Sequence, residues 1–172
     1  MAQVVHTPHG VRPKSSFRRR LRSATGATLI EAALVTPLLM LLTFATVDCA
    51  ALFYAYLALE NGISQATRFA VTGNQMNDPS NPGNLLSRTA SIETAMRQAT
   101  PTLTIADAAF TFNHMSPGSS SWAAGTGGPS DIEKVSVNYT WNVLTPIMRP
   151  FFPGGQVTLH VESAMKNEGR FN

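Results

Sequence analysis

Gly26-Ala27-Thr28-Leu29-Ile30-Glu31 opens a run that stays apolar as far as Leu59, and the fold depends on how that run is read. Between Ala27 and Leu59 the only charged side chains are Glu31 and Asp48. As a helix rising about 1.5 Å per residue, the run measures roughly 50 Å. A bilayer core needs about 20 apolar residues, so such a helix spans it and still projects beyond. Pro37 has no N–H to give the carbonyl of Ala33 and predicts a kink, which membrane helices tolerate. Past Tyr54 and Tyr56, which suit an interfacial belt, Leu59, Ile63, Ala66 and Ala70 recur at three- and four-residue spacing. That narrow stripe predicts an outer half laid against a globular head, with Gly73 as the stop.

Outward from the run, charge is distributed unevenly. Arg18, Arg19, Arg20 and Arg22 precede it, and no acidic residue lies anywhere upstream. Residues 1–26 carry six Lys/Arg and no acid, and residues 27–172 carry seven basic and ten acidic side chains, so the net charge of +3 is a basic leader on an acidic remainder. A basic pI so arranged gives no argument for nucleic-acid binding; it sets orientation, N-terminus inside and C-terminal domain outside. Pro8, Gly10, Pro13, Ser15 and Ser16 argue against a folded element in that leader. Cys49 is the only cysteine and lies inside the apolar run, so an internal disulfide is ruled out.

The exported part, from Gly73 on, reads as α+β. Turn chemistry at Asp78-Pro79 and Asn81-Pro82-Gly83 leads to a second helix, expected to be capped by Asn84. Leu85, Thr89, Ile92, Met96 and Ala99 share one of its faces, and Pro101 ends it. Thr102–Ala106 and Ala109–Asn113 are β-prone, and Ser116–Ser130 is a Gly- and Ser-rich loop. Glu133–Leu144 and Gln156–Met165 alternate cleanly and are expected to be antiparallel neighbours. A soluble head that folds without the apolar helix follows from this division. Between those strands, three prolines interrupt a segment that contains Ile147, Met148, Phe151 and Phe152. Those phenylalanines either tuck under the sheet or form a contact patch for a neighbouring subunit.

Gly26 before Ala27, with Glu31 five residues on, resembles the processing site of type IV prepilins and pseudopilins. Glu31-Ala32-Ala33-Leu34-Val35-Thr36-Pro37-Leu38-Leu39 is similar to the TadE branch, minor pilin-like proteins of the tight-adherence (Tad/Flp) pilus. Ala58-Leu59-Glu60-Asn61-Gly62 and Ala66-Thr67-Arg68-Phe69-Ala70 continue the resemblance. The resemblance implies a basic cytoplasmic leader at 1–26, a spanning and projecting helix at 27–72 and an extracytoplasmic head at 73–172. It implies cleavage between Gly26 and Ala27 by a prepilin peptidase. The implied partners are other pilin or pseudopilin subunits, an inner-membrane assembly platform and membrane lipid.

A carboxylate at mid-span costs about 2.5–3.5 kcal/mol, less near the interface. Glu31 either reaches headgroup water or pairs with the amine that cleavage would free on Ala27, four residues away on the same helix face. Asp48 is expected to be solvated near the outer interface, with a buried contact between subunits as the alternative. Pro37, Phe151 and Phe152 join it as interface candidates.

Two other readings compete: an uncleaved signal-anchored interaction module, and a secreted domain released after Ala45 at Thr43-Phe44-Ala45. A catalytic or cofactor-binding constellation does not emerge from the sequence. His6 and His9 lie in the leader, His114 and His160 are isolated, and Ser119-Ser120-Ser121 has no Gly-x-Ser-x-Gly setting.

Overall fold

The structure, a computed structural model, describes residues 17–171. His6, His9 and the leader as far as Ser16 lie outside the described residues, as do the side chains of the Arg18, Arg19, Arg20 and Arg22 cluster. A first helix, α1 (Phe17–Ala70), runs unbroken through Gly26 and Pro37. It therefore begins ten residues before the expected start at Ala27. Arg, Leu and Ala are good helix formers, and a single glycine costs only about 1 kcal/mol, so nothing in the sequence of residues 17–25 stops it.

The chain divides into two compact units, one up to Leu42 and one from Thr43 onward. In the first, the side chains of residues 27–40 are exposed, large apolar ones such as Leu34 and Leu38 included. Among the described residues one helix is long and apolar enough to cross a membrane, Gly26–Ala70.

The second unit is α+β, as expected. Its sheet has the order β2-β1-β3-β4, from β1 (Phe110–Met115), β2 (Ala123–Ala124), β3 (Ile132–Asn142) and β4 (Gln156–Lys166), all neighbours antiparallel. Val135 sits between Phe112 and Ser163, and Val137 between Phe110 and Val161. Period-two alternation puts these on one face, against Leu59, Ile63, Ala66 and Ala70 of α1 and Ile92 and Met96 of α2 (Arg88–Ala99). The apolar stripe of α1 is thus core. Each fully buried Leu or Ile in it is worth roughly 1.5–3 kcal/mol. A head beginning at Gly73 would lose them all, which corrects the expectation of a self-sufficient domain there.

Three local readings also change. α2 starts at Arg88 because Ser87, not Asn84, accepts from the Ala90 N–H at 3.2 Å. Leu85 is exposed and its residue forms an isolated bridge with Asn77. Residues 102–106 form a turn and extended chain, held as Leu103 N–H donates to Thr100 O and Arg97 Nε to Ile105 O. The Gly- and Ser-rich loop contributes β2, which pairs Asn113 with Ala124. At Gly73 the backbone is left-handed (φ +70°), and a Cβ there would collide with the Phe171 ring, so glycine ends the helix region for two reasons.

Candidate functional site

At the membrane end, helical spacing puts Ala27 and Glu31 on one face, both exposed. Among the described residues nothing lies within 4 Å of where a Gly26 Cβ would be, and α1 continues as helix through the expected scissile bond. Thr28, Glu31, Ala32 and Val35 line a shallow groove on this face. Pro37 lies in the same exposed stretch.

Asp48 is not solvated. It is 4% exposed, and its Oδ1 accepts from the Leu144 N–H at 3.0 Å and the Thr145 N–H at 3.2 Å. Its Oδ2 accepts from Thr145 Oγ1. The partners belong to the loop after β3 of the same chain, so neither the solvated reading nor the intersubunit one describes it. β3 ends at Asn142 and Val143 N–H still reaches Gly155 O, but the next two backbone donors have no ladder partner, and the carboxylate takes both. Asp48, the one charged residue between Glu31 and Glu60, therefore fastens the loop after β3 to α1. At about 1.5 Å per residue, residues 27–47 cover roughly 31 Å, the thickness of a bilayer core.

The proline-rich loop divides its apolar side chains between the two roles the sequence left open. Met148 and Phe152 pack with Trp141, Val143 and Ala55, and they line a cavity of about 40 Å³ with Ala45, Cys49 and Leu52. Leu144, Ile147 and Phe151 face out. On the outer half of α1, Phe53 and Leu57, one turn apart, are also exposed. Tyr54 spends its hydroxyl on Thr102 Oγ1 at 3.1 Å.

A second fastening was not anticipated. Arg88 donates to the carbonyls of Gly127 (2.5 Å) and Ala70 (3.1 Å) and to Glu133 Oε2 (2.6 Å), and lies 4.4 Å from the Phe171 ring centre. It closes the C-terminal end of α1, where a cation suits the helix dipole. Glu133 is fully buried. Burial pushes its carboxyl up to about 7, against the opposing pull of Arg88, Asn167 and His114. The signal was present in the sequence: Glu133 shares the parity of Val135 and Val137, and so had to face the core. His160 is exposed, with Nδ1 2.9 Å from Asn138 Oδ1.

Among the described residues no cluster of His, Cys, Asp or Glu is arranged to hold a metal ion. Within the unit from Thr43 onward, two polar fastenings, at Asp48 and Arg88, tie α1 to the sheet and its loops. Comparison with known proteins gives a match to the family described as TadE-like protein, over residues 26–68. No curated protein and no solved structure matches the chain. The matched segment starts at Gly26 and ends at Arg68, so it takes in the exposed span, Glu31, Asp48 and most of the buried stripe. Over that segment of α1, from Gly26 into the unit that begins at Thr43, the chain is similar to the TadE-like family.

Proposed function

We propose that the chain is a pseudopilin-like minor component of a Tad-type pilus or secretion machine, acting by assembly rather than catalysis. The single observation that carries this reading is the TadE-like match, which begins at Gly26 and continues along an exposed apolar helix with one carboxylate near its start. A prepilin peptidase cuts after Gly26 at the cytoplasmic face, and the new Ala27 amine pairs with Glu31 of its own or a neighbouring chain. The head stays outside. Leu34, Leu38, Phe53 and Leu57, all exposed, offer the surface for other pilin helices and the assembly platform.

Helix α1 runs through Gly26 without a break, which favours one second reading, an uncleaved signal anchor. Gly26→Leu and Glu31→Ala distinguish the two. Under the proposal Gly26→Leu accumulates as full-length precursor, because a branched side chain obstructs the cut. Glu31→Ala matures to normal size but does not support assembly. Blot size and pilus or secretion output decide it; two variants that behave as wild type in both leave the uncleaved anchor standing.

A further inference from the structure

We infer that the loop from Leu144 to Gly155 rests on the outer leaflet of a phospholipid bilayer, with Leu144, Ile147 and Phe151 entering its interface. The inference rests on the reading that α1 crosses the membrane. Three observations within the unit from Thr43 onward carry it.

The first is level. Asp48 holds the N–H groups of Leu144 and Thr145, and Met148 and Phe152 share a cavity with Ala45, in the helical turn before it. A span that begins at Ala27 and fills a bilayer core of about 30 Å ends at this turn, so the loop is pinned where such a span leaves the hydrocarbon.

The second is exposure. Leu144, Ile147 and Phe151 are 56%, 46% and 64% exposed, although Met148 and Phe152 beside them found places in the core. A loop seeking only burial would not leave its other large apolar groups outside, and a row of them belongs against something apolar.

The third is the backbone. An irregular segment tolerates a low dielectric only if its polar groups are satisfied internally. Here most of the loop's N–H groups have such partners: beside Leu144 and Thr145 on Asp48, Met148 donates to Thr145 O at 3.1 Å, Phe151 to Met148 O at 3.0 Å, Phe152 to Arg149 O at 3.1 Å and Gly155 to Phe152 O at 2.9 Å. Pro146, Pro150 and Pro153 have no N–H to satisfy. The one charged side chain of the loop, Arg149, donates its Nε to Val143 O at 3.2 Å, and a guanidinium on a long apolar stem is the type that reaches lipid phosphates from an interface with its terminal nitrogens. Lipid suits these features better than a second copy of the chain, since the membrane already meets α1 at this level.

The test uses the full chain in a Cys49→Ala background, reconstituted in phosphatidylcholine vesicles containing phosphatidylglycerol. Nitroxide labels go on Phe151→Cys, Ile147→Cys, Leu38→Cys in the span and Asn138→Cys on the exposed sheet face. Collisions with oxygen, which concentrates in lipid, are compared with collisions with a water-soluble nickel chelate. The oxygen-to-nickel ratio at 151 and 147 should exceed that at 138 several-fold and approach that at 38. Ratios at 151 and 147 equal to that at 138, with 38 in lipid, overturn the loop inference and leave the span intact. Labels at 151 and 147 shielded from both reagents overturn it in favour of a protein partner. A water-like ratio at 38 overturns the membrane reading itself. Ile147→Cys keeps the test decisive if Phe151→Cys disturbs folding.

Discussion

Replacing Asp48 by alanine tests the fastening between α1 and the head. The carboxylate takes two backbone N–H groups, at 3.0 and 3.2 Å, and the Thr145 hydroxyl, in a site where it is 4% exposed. A hydrogen bond to a charged group contributes about 1.5–3 kcal/mol net, but the three share one acceptor group and are not additive. The freed donors lie in a loop that can turn toward solvent, which recovers part of the loss. The expected cost of Asp48→Ala is therefore about 3 kcal/mol, a large share of a total that is roughly 5–15 kcal/mol for a domain. For a unit of this size that lowers Tm by roughly 10 °C. Asp48→Asn keeps one acceptor but turns an NH2 toward some of the same donors, and should fall between wild type and alanine. Thr145→Val removes only the hydroxyl and should cost about 1 kcal/mol. Thermal unfolding of the full chain in one detergent, followed by circular dichroism and by Trp141 fluorescence, reads all three. An Asp48→Ala protein melting with wild type would refute the claim that this carboxylate holds the head to the helix.

The buried Glu133 makes a prediction about pH. Its folded value, about 7, lies above its ordinary value of 4.5, so the folded state holds the extra proton between these limits. Stability from this group is fully present below about pH 4.5 and is lost as pH rises through 7, by roughly 3 kcal/mol at most. Tm should accordingly fall from pH 5 to pH 7.5, and Glu133→Gln should flatten that slope; an unchanged slope argues against it. Arg88→Met leaves the buried acid unpaired and removes the tie to Ala70 O, and should destabilise by about 3–5 kcal/mol in denaturant titration. At Gly62 an added Cβ would collide with the Thr100 side chain and lie 3.4 Å from Met96 Cγ, so Gly62→Val should cost about 1–3 kcal/mol. A fragment of residues 73–172, lacking Leu59, Ile63, Ala66 and Ala70, should show no cooperative thermal transition, whereas one of residues 43–172 should.

The elements with a strong period were legible. Alternation located β3 and β4 and their pairing, and the three-and-four spacing of Leu59, Ile63, Ala66 and Ala70 marked the buried side of α1. What spacing does not encode is which partner a polar residue finds far along the chain. Asp48 looked solvated because the Leu144 and Thr145 donors lie some 96 residues away. Arg88 was passed over because its contacts, Ala70, Gly127, Glu133 and Phe171, converge only after the sheet forms. The cap of α2 was misplaced because Asn84 and Ser87 are both good caps, and the turn that includes the Asn77–Leu85 bridge decided between them. At the membrane end, the chemistry of Gly26, Ala27 and Glu31 was readable only as a motif, since a cut and its new amine exist only after a second protein has acted.

The cut between Gly26 and Ala27 leaves its record at the N-terminus of the mature protein. Protein purified from the membrane fraction of cells that hold the whole assembly system is digested, and its N-terminal peptide is identified by mass spectrometry. The expected N-terminus is Ala27. Protein beginning only at Met1, or at Thr46, would contradict it.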